Sequence, residues 1–230
     1  MTNLNVNRRA IFAIGAAAIA AGVTSPALAE PADDADDAAT LQDAIDLTAQ
    51  VDQDLADQGT SIDEQLEILY LAMGEDESIE PPSVMRGPSE DDILRNAVRT
   101  VAASFVALGH NLSGELVIHS LKRTGGTYTP NFGSRAKSSP VVKAIKTGRS
   151  TSGSRAFTKA SGGSYAADLY YAIHLFSFSK QSPTGTTVKI GDTYDFAKEK
   201  YAGLQGRVVA TMELAQRKGI IKQFRVSITA

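Results

Sequence analysis

Charge divides this chain into two halves, and that division limits how it can fold. Between Glu30 and Asp92 stand 20 acidic residues and one basic residue, Arg86. From Ile93 to Ala230 the balance reverses, to 6 acidic and 20 basic. The net charge of -3 hides this opposition. A surface of one sign repels itself, so each half needs a good core or the other half's charge beside it. The basic half is expected to attract a polyanion. The acidic half can shield it in cis, or each half can simply be a solvated surface.

The chain contains no cysteine and no tryptophan. Disulfides, thiol nucleophiles and thiolate metal sites are therefore excluded, as is a carbohydrate platform built on tryptophan. Stability must come from packing.

The first 29 residues read as a cleavable signal peptide. Arg8 and Arg9 supply the charged start, Ala10 to Val23 an apolar stretch, and Ala27-Leu28-Ala29 a small-x-small cleavage site. The apolar stretch is shorter than the roughly 20 residues that span a bilayer. No transmembrane segment is expected in the mature chain. Asn7-Arg8-Arg9-Ala10-Ile11-Phe12 resembles the twin-arginine export motif, which implies passage after folding; general secretion is the alternative. The expected location is periplasmic or extracellular.

The acidic region reads as a partly disordered helical segment over residues 30–88. Residues 30–40 are Asp/Ala-rich with too little apolar surface to order themselves. Leu41, Ile45, Leu47, Val51 and Leu55 form a sparse helical stripe. Ser61 and Glu64 make a capping box for a second helix that Gly74 ends. Pro81, Pro82, Gly87 and Pro88 mark a linker, and the domain boundary is placed there.

The basic domain covers 89–230. Ser89 caps a helix with a wide apolar face that Gly109 ends. Residues 115–121 alternate like a strand, and Lys122 to Thr158 reads as a basic loop broken by one helix from Pro140 to Gly148. Asp168–Lys180 reads as a long strand and Thr186–Ile190 as its hairpin partner. A helix through Leu204, Val208, Met212 and Ala215 stops at Gly219, and Phe224–Thr229 is expected to close the sheet. The fold class is α+β: an acidic helical segment, then a small antiparallel or mixed sheet packed against helices.

Only six carboxylates stand in the basic domain, and two share one pentapeptide, Asp192-Thr193-Tyr194-Asp195-Phe196. Paired carboxylates beside a phenol can bind a divalent cation, Mg2+ or Ca2+, or act as base and electrostatic stabiliser. The same residues also suit a turn after Gly191, with Tyr194 and Phe196 in the core. His119 and His174, both expected on strands, are candidates to face the pair. Arg149, Arg155 and Arg207 are candidates to hold a phosphorylated substrate. No HExxH, GxSxG, phosphate-loop or zinc spacing occurs.

Residues 171–196, ending in Asp192-Thr193-Tyr194-Asp195, resemble the matching part of the colicin-M-type bacteriocins. That likeness implies a divalent-cation-dependent hydrolase that cleaves the peptidoglycan precursor lipid II between its polyprenyl and pyrophosphate parts. It puts Asp192, Tyr194 and Asp195 in the active site. The family's His-Arg pair has Tyr201 and, further on, Arg207 in its place, which leaves His174 or His119 to substitute. The expectation is an envelope-directed, toxin-like phosphoester hydrolase whose partner is a phosphorylated lipid precursor or another anionic envelope component. Nucleic acid is not the expected partner. The rival is a non-catalytic exported module that binds anionic wall polymer or a protein, with the acidic segment as cis-inhibitor.

Overall fold

The computed structural model describes residues 34–74, 88–122, 126–196 and 203–230. The expected signal segment and residues 75–87 of the expected linker lie outside them. Among the described residues no helix is long and apolar enough to cross a membrane.

Helix α1 (Asp34–Ala56) is held by one narrow stripe. Ala44, Leu47, Val51 and Leu55 are buried, while Ile45, expected in that stripe, is exposed. The helix reaches back to Asp34, so residues 34–40 are ordered where disorder was expected. Asp37 supplies a reason: Arg217 grips both its carboxylate oxygens, at 2.7 and 3.2 Å. Helix α2 (Ile62–Met73) forms as its sequence dictates. Ser61 and Glu64 close the capping box, and Gly74 takes the left-handed conformation at φ 71°.

Ser89 and Asp92 cap helix α3 (Glu90–Ala107) in the same reciprocal way. Helix α1 packs on α3 and on α7 (Gly203–Arg217). The apolar faces of α1 and α2 therefore join the same core as the basic half.

Residues 115–121, expected as a strand, belong instead to helix α4 (Asn111–Leu121). The alternation misled because this helix is buried on nearly every side, Leu112 to Ile118 without a break. A helix covered all round shows no 3.6-residue polar period. His119 accordingly sits on a helix.

The long strand expected over 168–180 divides in two. Asp168 lies in helix α6 (Ala166–Ala172), and only Leu175–Lys180 is strand. Helix α5 (Pro140–Thr147) runs where expected, from the Ser139 cap to Gly148.

The sheet has five strands: β1 (Thr127–Tyr128), β2 (Ser152–Ala156), β3 (Leu175–Lys180), β4 (Val188–Tyr194) and β5 (Phe224–Thr229), in the order β1-β5-β4-β3-β2. β1 and β5 are parallel and the other pairs antiparallel, so the sheet is mixed. β5 lies inside the sheet between β1 and β4 rather than closing its edge. β2 lies in a stretch that reads as loop, because Ser-Gly-Ser-Arg-Ala carries no apolar alternation.

Each central strand alternates strictly. Phe176, Phe178, Val188, Ile190, Tyr194, Phe224, Val226 and Ile228 face the core. The other face presents Ser177, Ser179, Lys189, Gly191, Thr193, Arg225, Ser227 and Thr229.

Candidate functional site

Asp192 and Tyr194 lie within β4, not past it, and the pleat turns both toward the core. Asp192 pairs with Val226 across the sheet, and Tyr194 with Phe224. The Tyr194 ring packs on Phe224 and Phe196, with centroids 5.1 and 5.2 Å apart. Its hydroxyl is buried with no hydrogen-bond partner, and burial holds its pKa well above the ordinary phenol range. The hydroxyl is thus turned into the core rather than toward the open face of the sheet.

Asp192 accepts one hydrogen bond at Oδ1, from the amide of Thr193 at 2.8 Å. Its Oδ2 is buried without a partner. Burial pushes this carboxyl up to about 7, and the negative charge of Asp195 adds to the rise. Burial also raises Asp195. Among the described residues no arginine or histidine forms an ion pair with either group.

The remaining candidates lie apart from this pair. His119 stacks on Tyr128 at 3.6 Å between centroids and meets Phe224 edge-on at 4.6 Å. It hydrogen-bonds to neither aspartate. His174 lies in the turn between α6 and β3 rather than on a strand, beside the Tyr170 ring. Arg149 is exposed just beyond α5, Arg207 belongs to α7, and Arg155 on β2 lies over the Phe178 ring.

A divalent cation needs ionised oxygens converging on one point. Asp192 Oδ2 is buried without a hydrogen-bond partner, and burial raises the pKa of both carboxyls. Among the described residues no three His, Asp or Glu side chains gather as a cation site requires.

Two other carboxylates of the basic half are structural anchors. Glu115 is fully buried and accepts from Tyr128 Oη, Asn131 N and Phe132 N at 2.6, 2.6 and 2.9 Å. Asp168 caps α4 from a distance, accepting the amides of Leu112 and Ser113 at 3.1 and 2.9 Å. It also accepts from the guanidinium of Arg135, which is sandwiched between the Phe132 and Tyr165 rings. His110, the adjacent residue, is kept below its ordinary pKa by burial, opposed by the Asp168 charge.

The opening that the structure does provide is on the other side of the sheet. A shallow groove of about 510 Å3 crosses the exposed face, lined by side chains that include Thr127, Ser154, Ser177, Thr193, Arg225 and Ser227. Register sets Ser154, Ser177, Gly191 and Ser227 side by side on four neighbouring strands. Asp192 also lines the groove, although the pleat sets its side chain on the core side of β4. Every charged side chain on the exposed face of β3, β4 and β5 is a cation, Lys189 or Arg225.

Sequence reading missed these residues, although a signal was present. Phe-Ser-Phe-Ser in β3 and Arg-Val-Ser-Ile-Thr in β5 already alternate apolar with polar. What the alternation could not supply was register, which alone puts the polar halves together. No protein-family model, curated protein or solved structure matches this chain.

Proposed function

We propose that this chain is an exported, non-catalytic module that binds an anionic polymer of the cell envelope across the open face of its sheet. The observation that carries this reading is the groove itself. It is polar and open, Arg225 lines it, Lys189 follows on the same face of β4, and no acidic residue stands on the outward face of β3, β4 or β5. Small hydroxylated side chains offer donors and acceptors to a polyol or sugar chain, and the cations offer charge. The signal sequence supports delivery to the compartment where such polymers lie. Helix α1 takes no part in the groove and anchors in the core, which favours a structural role for the acidic segment over a cis-inhibitory one.

The test is retention of the purified protein on isolated wall material at low and high salt. Binding is expected to weaken steeply with salt and to fall in Arg225→Ala. Retention that ignores salt contradicts the reading.

A second reading keeps the phosphoester hydrolase acting on a lipid-linked wall precursor. It is favoured by the burial of the Asp192 carboxyl beside the Asp195 charge, which pushes its pKa up to about 7, where a general acid or base works best. Asp192→Asn separates the two. It leaves wall binding intact under the first reading and abolishes lipid II turnover under the second.

A further inference from the structure

We infer that the sheet-face groove holds a phosphodiester-linked polyol chain lying along β4 and β5, gripped at two points by Lys189 and Arg225. This rests on the sheet-face reading above and names its ligand. Lys189 stands opposite Thr229, and Arg225 opposite Thr193. The two cations therefore lie diagonally across adjacent strands, four residues apart along them. At a rise of ~3.4 Å per residue and a strand spacing of ~4.8 Å, their Cα atoms are about 14 Å apart.

Between them the strands present Gly191 and Ser227, with Ser177 beside Gly191. Ser177 donates its hydroxyl hydrogen to the Gly191 carbonyl at 2.9 Å, so its oxygen stays available as an acceptor. Gly191 keeps this middle stretch low, since a Cβ there would come within 3.3 Å of Ser177 Oγ. The ligand that fits has separated negative charges with hydroxyl-bearing units between them. A phosphodiester-linked polyol has that pattern: one charge per link, and hydroxyls that pair with serine. Arginine meets such a phosphate as a planar fork, and lysine as a point charge. Neither Lys189 nor Arg225 forms an ion pair with a carboxylate among the described residues.

Two-point attachment makes binding depend on chain length in a stepped way. A chain too short to reach both cations gains from one alone. A chain that spans them gains from both through effective concentration, and further length adds little.

The experiment is calorimetric titration of the full protein with synthetic glycerol phosphate oligomers of increasing length. Polygalacturonate serves as a carboxylate polymer and dextran as a neutral one. The expected result is a step in affinity of roughly tenfold or more once the oligomer spans the cations. Lys189→Ala and Arg225→Ala should each erase the step, so that long chains bind no better than short ones. Lys189→Arg should keep it. Melting curves of the variants confirm folding, which these exposed positions should not disturb. If affinity rises smoothly with length and both alanine variants follow the same curve, two-point attachment is wrong while the sheet-face reading stands. Equal binding of polygalacturonate overturns the phosphodiester assignment alone. If no polyanion binds better than dextran, the sheet-face reading falls with it.

Discussion

Asp192 pairs with Val226 on the core side of the sheet, directly behind the strand whose open side carries Gly191 and Thr193. One strand thus separates a half-buried, half-satisfied carboxyl from the polar side of the sheet-face groove. The acidic motif and the groove share Asp192 and Thr193, but the pleat sends Thr193 outward and Asp192 to the core side.

That geometry fixes a pH dependence. The folded state raises Asp192 from an ordinary 3.8 to about 7. A carboxyl raised on folding contributes stability while it is protonated, below about 4, and loses it as pH rises toward 7. Stability from this group should therefore fall between pH 4 and pH 7 and stay flat above. Asp192→Asn removes the loss. We expect urea unfolding at pH 8 to show the variant more stable than the natural protein by up to about 4 kcal/mol, with the gap closing toward pH 4. A gap independent of pH would show that Asp192 is not buried as described.

Asp168 and Arg135 predict a large coupled loss. Removing Asp168 strips two amide caps from α4 and leaves a largely buried guanidinium unpaired. Asp168→Ala should cost about 3–5 kcal/mol, and so should Arg135→Ala. The double variant should cost much less than their sum. A double-mutant cycle by chemical denaturation measures this, and additivity would contradict the pairing.

The acidic helix α1 holds by its stripe more than by its charge. Leu47→Ala should cost about 2–5 kcal/mol, because it empties a fully buried position. Asp37→Asn weakens a partly exposed ion pair and should cost about 1 kcal/mol, and less in high salt. Deleting residues 30–88 should then abolish cooperative thermal unfolding by exposing the core-facing sides of α3 and α7. A truncated chain that melts as sharply as the whole one would show that the acidic segment is dispensable.

Legibility in the sequence followed the physics of each element. Helices with chemical end signals could be read almost to the residue: Ser61 with Glu64, Ser89 with Asp92, Ser139 with Pro140. Strands with one wet face were legible in full at Phe224–Thr229 and only in part at Val188–Tyr194, where the expected strand stops at Ile190 and Gly191 reads as a turn. Burial on all sides erased the signal in α4, where Leu116, Val117 and Ile118 fit a strand as well as a helix. Absence of apolar residues hid β2. The candidate site was the least legible part. Asp192, Tyr194 and Asp195 drew notice by type and spacing, yet a strand's pleat decides which side a residue serves. Ser154, Ser177, Gly191 and Ser227 lie far apart in sequence and become neighbours only through register.

The central claim is that the open sheet face binds an anionic envelope polymer. Amide chemical-shift mapping during titration with glycerol phosphate polymer tests it most directly. The account predicts saturating shifts at Ser177, Lys189, Gly191, Thr193, Arg225 and Ser227, lost in high salt, with α1 and α7 unmoved. Shifts that gather instead around Arg149 and Arg207, or an unchanged spectrum at saturating polymer, would contradict it.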